Sequence, residues 1–199
     1  MNHRNGARSS AKDKGTRRTE DAIALLKADH RKVEGLFGKY AKAKGPEQKA
    51  ELVKQICQEL IIHTMIEEEI FYPAVRSRID DDRMMDEAQV EHDSAKALVL
   101  ELLAGSPKNE FFDAKVKVLS ERIKHHVHEE EKRSEGMFAE ARAAGIDVDA
   151  LGDELAVRKA QLMTQAKAGK LPAPKRPSFQ GAGSSREKPG ESQGVAIAH

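Results

Sequence analysis

The sequence has few of the residues that stabilise small secreted domains or β-rich folds. Its 199 residues include one cysteine, Cys57, no tryptophan and only 4% aromatic residues. A single cysteine excludes an intramolecular disulfide framework and is typical of a reducing compartment. With 39% hydrophobic and 34% charged residues, the composition favours a helical bundle with a thin apolar seam. We therefore expect an all-α protein.

Long apolar runs are also absent. No stretch approaches the roughly 20 consecutive apolar residues that span a bilayer. The basic residues near the N-terminus are not followed by the apolar segment of a secretory signal. These features predict a cytoplasmic protein with no membrane partner.

Charge is unevenly distributed along the chain, although the net charge is only +1. Residues 1–18 carry a net charge of +5 and residues 167–199 a net charge of +4, which leaves −8 for the middle. Both ends are also rich in Ser and Gly, so we predict disordered basic tails at residues 1–18 and 168–199. Such tails could approach the phosphates of a nucleic acid.

The middle of the chain shows the apolar spacing of four amphipathic helices. Three breaks separate them: Gly45-Pro46, Asp80-Asp81-Asp82 and Gly105-Ser106-Pro107. Pro73 is expected to kink or end the second helix. Because the connections are short, neighbouring helices must be antiparallel. We predict an up-down antiparallel four-helix bundle over residues 19–145, followed by a peripheral C-terminal helix over residues 146–167.

Two of the predicted helices carry a histidine followed by a glutamate at the same spacing. His63 precedes Glu67 by four residues, and His126 precedes Glu130 by four residues. On a helix these positions share one face, so each pair directs an imidazole and a carboxylate to one point. The sequence therefore predicts metal-ligand geometry twice.

The helix before each pair contributes a single histidine to its inward stripe, His30 in one case and His92 in the other. Residues 21–79 and 82–143 thus share one layout, a lone histidine and then His-x-x-x-Glu. We interpret this as a duplicated helical hairpin.

Six polar side chains therefore lie where the apolar stripes call for aliphatic residues: His30, His63, Glu67, His92, His126 and Glu130. A buried carboxylate without a partner costs several kcal/mol, and a bound cation removes that cost. Mixed imidazole and carboxylate ligation by more than four donors favours a dinuclear non-haem site over a tetrahedral structural zinc. The expected cofactor is two non-haem iron ions, with manganese as the alternative.

Taken singly, each of these residues also has an ordinary structural interpretation, and so do the residues next to them in the sequence. One histidine on an apolar face is more often a core residue than a ligand, so the prediction rests on all six matching positions. Four nearby carboxylates are expected on a charged outer face: Glu68, Glu69, Glu129 and Glu131. Of these, Glu68 or Glu129 could support the ligands. Either of the two tyrosines, Tyr40 or Tyr72, could form a hydrogen bond near the site, but packing is the expected role of both.

These residues resemble the hemerythrin family, in particular its HHE cation-binding branch. The resemblance covers about residues 21–143 and rests on four segments: Asp29 to Phe37, His63 to Pro73, Glu91-His92-Asp93, and His126 to Glu131. It implies a four-helix bundle that holds a bridged di-iron centre. Glu67 and Glu130 would bridge the ions, and the four histidines would be terminal ligands.

The chain departs from the oxygen-carrying hemerythrins at two positions. Those carriers have a second histidine four residues after the one in the third helix, and here that position is Lys96. Their last carboxylate is an Asp five residues after its histidine, whereas Glu130 follows His126 by four. Fewer imidazoles leave more open positions and argue against simple reversible oxygen carriage.

Three functions follow from these observations. The first is a di-iron protein that senses or handles O2, peroxide, nitric oxide or iron, with a small diatomic or peroxidic ligand as its partner. The second is a di-iron oxidoreductase of the ferritin-like class, although the Glu-x-x-His signature of that class is absent from the sequence. The third is a regulatory protein that contacts nucleic acid through its basic tails, a weaker alternative. The oligomeric state stays open.

Overall fold

The computed structural model describes residues 20–174, and within that range all regular structure is helical. The predicted tails lie outside the described residues, except for residues 168–174, which follow the last helix. Seven α-helices and one π-helical turn are present in this range: α1 (Ala22–Lys42), α2 (Pro46–Ile66), the π turn (Glu67–Phe71), α3 (Tyr72–Arg76), α4 (Asp82–Ala104), α5 (Phe112–Glu131), α6 (Met137–Ala143) and α7 (Val148–Lys167). The expected all-α fold is confirmed.

Aspartate side chains cap three of the long helices. Asp21, Asp81 and Asp147 each accept a hydrogen bond from the backbone N–H three residues ahead, at 2.9–3.0 Å. These bonds satisfy amide groups that a helix N-terminus leaves unpaired. The starts of α1, α4 and α7 are therefore encoded locally.

Four long helices form a closed ring in which α1 packs on α2, α2 on α4, α4 on α5 and α5 on α1. Their antiparallel arrangement is visible at one end of the ring. There the hydroxyl of Tyr40, near the end of α1, donates to Asp113, at the start of α5, at 2.5 Å. Lys49, at the start of α2, reaches the same carboxylate at 2.6 Å.

The second helix continues past Pro73 instead of stopping there. The π turn ends at Phe71, two residues before this proline, and the chain then stays helical to Arg76. Proline lacks an N–H and its ring clashes with the carbonyl four residues earlier. A wider turn shifts that carbonyl and relieves the clash, which is why this helix bulges before the proline instead of ending.

Two apolar clusters fill the bundle, and the six predicted ligands lie where they meet. On α1, His30 falls between Leu26 of one cluster and Val33 of the other. On α4, His92 falls between Ala88 and Ala95 in the same way. The polar residues are therefore held in a buried layer between two apolar ends.

Helices α6 and α7 extend the cluster that contains Leu26. Phe138 of α6 packs there, and α7 adds Leu151, Leu155 and Leu162. The C-terminal helix thus lies outside the four-helix ring while its inner face is part of the core. Within residues 20–174, no helix is long and apolar enough to cross a membrane.

A Gly152→Ala substitution is expected to destabilise the protein by about 1–3 kcal/mol, because it overpacks a close contact. A Cβ atom at Gly152 would lie 2.5 Å from the backbone oxygen of Glu20 and 2.8 Å from the amide nitrogen of Ala22. Urea unfolding would measure the loss.

Gly38→Ala provides the matched control for that substitution. A Cβ atom at Gly38 meets nothing within 4 Å, and replacing glycine in a helix interior stabilises by about 0.5–1 kcal/mol. Equal effects of the two substitutions would contradict the close packing of α7 on the start of α1.

Candidate metal centre

The structure brings all six predicted ligand residues into one buried cluster. Their side chains come from α1, α2, the π turn, α4 and α5. Each is at most 5% exposed: His30, His63, Glu67, His92, His126 and Glu130. Two groups of donors within this cluster could each hold a metal ion.

The first candidate position is formed by His30, His63, Glu67 and Glu130. The Nε2 atoms of the two imidazoles are 3.0 Å apart. Glu67 places Oε2 3.1 Å from Nε2 of His63, and Glu130 places Oε2 3.4 Å from Nε2 of His30. Four donors thus converge on one point.

The second candidate position is formed by Glu67, His92 and His126. The Nε2 atoms of the two imidazoles are 3.1 Å apart, and Glu67 Oε2 is 3.3 Å from Nε2 of His92. Glu130 also reaches this side, with Oε1 3.5 Å from Nε2 of His126. Each glutamate therefore faces an imidazole of both positions.

Carboxylates on the outer side of the cluster define how the imidazoles are oriented. Nδ1 of His30 is 2.8 Å from Glu131, Nδ1 of His92 is 3.0 Å from Glu68, and Nδ1 of His126 is 2.8 Å from Glu91. An imidazole that donates from Nδ1 keeps a lone pair on Nε2. Lone pairs of two imidazoles then face each other at about 3 Å, an arrangement that a cation between them would stabilise.

The outer carboxylates follow the same duplication as the ligands. The residue before each lone histidine, Asp29 or Glu91, faces the second-helix histidine of its own half. The residue after each glutamate, Glu68 or Glu131, faces the lone histidine of the other half. The supporting role predicted for Glu129 therefore falls to Glu131. The carboxylate of Glu129 pairs with Lys132 instead.

Several atoms inside the cluster lack a hydrogen-bond partner among residues 20–174. They are both carboxylate oxygens of Glu67, Oε2 of Glu130 and Nδ1 of His63. Burial raises the pKa of Glu67 to about 7. Burial, together with the charge of Glu67, raises the pKa of Glu130 to about 8. Unpartnered buried carboxylates are costly, and a divalent cation satisfies them.

Tyr72 is a further polar residue at the centre, although the sequence favours packing for it over a hydrogen bond near the site. Its hydroxyl donates to Oε1 of Glu130 at 3.2 Å and lies 3.0 Å from Nε2 of His92. The π turn explains its position. The amide of Tyr72 bonds to the carbonyl of Glu67, so residues five apart share one face instead of diverging as in an α-helix.

Replacing Tyr72 by Phe should weaken metal binding at the second candidate position about tenfold, a typical cost for losing a group that supports a ligand. The hydroxyl contacts Glu130 and His92, both next to that position. Competition with a chelator would measure the change.

Tyr40→Phe is the natural control, since the chain has only two tyrosines and the Tyr40 hydroxyl bonds to Asp113 at the far end of the bundle. Metal affinity should not change in this variant. An equal effect of both substitutions would show that Tyr72 acts only through packing.

Lys96, at the position where oxygen carriers have another histidine, is directed away from the ligand atoms. Its ammonium group contacts Glu68 and lies 3.2 Å from Oδ1 of Asp93. Burial opposes ionisation of Glu68, but its bonds to His92 and Lys96 hold the pKa of that carboxyl below its usual value. Lys96 therefore stabilises a supporting carboxylate.

Three openings adjoin the centre, and one of about 310 Å³ lies beside His30 and is also lined by Arg31 and Glu131. A cleft of about 910 Å³ between α4 and the end of α5 is lined by His126 and Glu130, with further carboxylates that include Glu87 and Glu135. A cavity of about 10 Å³ lies among the four histidines and is also lined by Val33 and Leu60. The cavity has room for about one water-sized molecule.

Comparisons with known proteins agree with this geometry. The family model described as the hemerythrin HHE cation-binding domain matches residues 21–137. A curated relative, a DNA nickase from Nostoc sp. strain PCC 7120, is 32% identical over 127 residues. The match covers 63% of this chain, and the chain spans about 36% of that relative's length.

A solved structure has the same fold. It is the crystal structure of a hemerythrin HHE cation-binding domain-containing protein from Mycobacterium kansasii. The TM-score is 0.61 at 19% identity, over 76% of this chain and 94% of that one. Because the family model matches more than half of the sequence and the fold agrees, the chain belongs to the hemerythrin HHE cation-binding family.

Proposed function

We propose that the chain is a dinuclear non-haem iron protein that senses or handles a small diatomic or peroxidic molecule. The observation that supports this most directly is the pair of donor groups that share Glu67. Both oxygens of Glu67 lack a hydrogen-bond partner in the described part of the chain. A carboxylate in that state between two imidazole pairs is suited to bridge two cations.

In this proposal six residues are the metal ligands. His30 and His63 would hold the first ion, His92 and His126 would hold the second, and Glu67 and Glu130 would be shared by both. Nitrogen and oxygen donors of this kind suit iron, and manganese is the alternative. Bound iron would supply a change of oxidation state and a coordination position for a small ligand.

The surroundings support a small ligand over a large substrate. The cavity among the histidines has a volume of about 10 Å³, which excludes anything much larger than water. The cleft that reaches His126 and Glu130 is rich in carboxylates, so it disfavours anionic metabolites. O2, nitric oxide and hydrogen peroxide are small and uncharged, and they meet both conditions.

Elemental analysis of protein purified without chelators or metal-affinity steps tests the proposal first. About two iron ions per chain is the expected result. Titration of the reduced protein with O2, nitric oxide and peroxide, followed by visible absorption, then identifies the ligand. A folded protein that takes up no metal under anaerobic ferrous loading would contradict the proposal.

DNA nicking is a second candidate function, favoured by the name of the Nostoc relative. The chain corresponds to about 36% of that protein, and its basic ends suit phosphate contacts. Relaxation of supercoiled plasmid by the metal-loaded chain, lost when Glu67 is replaced by Met, would support this function. Intact plasmid with fully loaded protein would exclude it.

A further inference from the structure

Helix α7 lies beyond residues 21–137, the part that the family model matches, yet it is firmly attached to the bundle. Leu155 and Leu162 are completely buried. Gly152 lets the helix backbone approach Glu20 and Ala22 so closely that a Cβ atom would collide. Arg158 adds two bonds to Glu69, at 2.7 and 3.2 Å. The helix therefore has one defined position against α1 and the π turn.

From that position α7 reaches the candidate metal centre through one side chain. The ammonium group of Lys159 contacts Oδ1 of Asp29. The other oxygen of this carboxylate lies 3.7 Å from Nδ1 of His63. Asp29 is only 5% exposed, so a charged partner is needed to keep its carboxylate in place. Lys159, Asp29 and His63 thus form a continuous connection from α7 to a ligand.

The other half of the duplicated hairpin lacks this connection. There the equivalent carboxylate is Glu91, which binds Nδ1 of His126 at 2.8 Å. Its second oxygen faces His125, on the same helix as His126, at 3.3 Å. Among the described residues, the carboxylate that supports His126 is therefore held within the four-helix ring, whereas the one beside His63 is held from outside it.

We propose that Lys159 is a positioning residue for the first metal position. Through Asp29 it fixes the orientation of His63, so that the docking of α7 sets the metal affinity of this position and leaves the second position unaffected. The inference rests on the proposed two-metal centre. It assigns to the C-terminal helix a role that the ligand set alone does not require.

The physical basis is the orientation of a ligand by its outer partner. A carboxylate beside the distal nitrogen of a ligating imidazole fixes the ring and strengthens it as a donor, and its loss typically costs 10–100-fold in metal affinity. Asp29 can act in this way only while its own carboxylate is held. The 3.7 Å separation between Asp29 and Nδ1 of His63 is longer than a hydrogen bond, so this support acts through charge and depends on Lys159 holding the carboxylate beside the ring.

Anaerobic titration of the full chain with ferrous iron tests the proposal. In Lys159→Met we expect the affinity of one of the two equivalents to fall about tenfold, with the other unchanged. Lys159→Arg should restore most of the loss, since it returns a cation to Asp29. Asp29→Asn, which keeps the side-chain shape, should give the same selective loss and serves as the test if Lys159→Met does not fold.

Arg158→Met is the matched control. It removes a neighbouring ion pair between α7 and the bundle, but its partner Glu69 is bonded to no candidate ligand in the described chain. Unfolding by urea should show a smaller loss for Arg158→Met than for Lys159→Met, because Glu69 is more exposed than Asp29, and metal affinity should change only in Lys159→Met. The inference would be overturned if Lys159→Met left metal affinity unchanged, raised it, or lowered it equally for both equivalents. It would also be overturned if Arg158→Met caused the same loss of affinity. Wild-type protein that binds fewer than two equivalents would instead refute the two-metal centre itself.

Discussion

Glu67→Met is expected to lose both metal ions while making the metal-free protein more stable. Glu67 belongs to both groups of donors, so its substitution removes a ligand from each. Its carboxylate is completely buried and has no hydrogen-bond partner in the described chain. Replacing a buried charge by an apolar side chain of similar volume often stabilises by about 1–4 kcal/mol. Elemental analysis and urea unfolding, with and without metal, measure the two effects.

Metal should therefore change the stability of the wild type and not that of the variant. At a free metal concentration about 1,000 times the dissociation constant, each bound ion adds about 4 kcal/mol. Glu129→Met is the control, because this half-exposed residue lies in the equivalent glutamate triplet and pairs with Lys132. Two equivalents of metal in Glu67→Met, or loss of metal in Glu129→Met, would show that the ligand set is wrong.

The fold and the six converging residues were predictable because each rests on periodicity. His63 and Glu67 are four residues apart on one helix, and they interrupt an otherwise aliphatic stripe. The same is true of His126 and Glu130. Short connections then leave few ways to arrange four helices. The resemblance to the hemerythrin family supplied the bridging roles, which spacing alone does not specify.

The place of Tyr72 was not predictable from helical periodicity. Five residues separate it from Glu67, and an α-helix would direct the two side chains to different faces. The π turn brings them together, and the only local signal for it is Pro73, which is compatible with a kink or an end as well. A periodic template assumes one helix geometry and cannot detect a local change in it.

The positions of the supporting carboxylates could be predicted from the repetition in the sequence, which favours Glu131 over Glu129. An acidic residue precedes each lone histidine, and another follows each ligand glutamate, in both halves of the chain. That repetition distinguishes Glu131 from Glu129. The contact between Lys159 and Asp29 is different, because it joins residues 130 positions apart. It depends on how α7 docks, which tertiary packing determines.

A Lys96→Met substitution should cost about 3–5 kcal/mol of stability, the usual consequence of removing one partner from a buried ion pair. Lys96 is 5% exposed, and the carboxylate of Asp93 is 2% exposed. Glu68 would lose its cation, while Asp93 keeps the amide of Gln89 at 3.1 Å. Urea unfolding of the metal-free protein measures this cost.

Lys115→Met is the control for charge removal alone, because Lys115 and Glu101 form an ion pair on the surface. Exposed pairs of this kind contribute about 0–1 kcal/mol. A comparably small loss in Lys96→Met would mean that the buried network around Glu68 does not stabilise the fold.

Lys96→Met should also weaken metal binding, and at a different metal position from the one that Lys159 affects. Glu68 orients His92 through Nδ1. Without the Lys96 charge, Glu68 is held less firmly, which weakens the second position, whereas Lys159 acts on the first. Lys96 and Lys159 contact no common residue in the described chain, so we expect their effects to add, and the double variant should be weakened at both equivalents by about the factors measured singly. If both lysines instead weakened the same equivalent, the two halves of the duplicated hairpin would not hold separate ions.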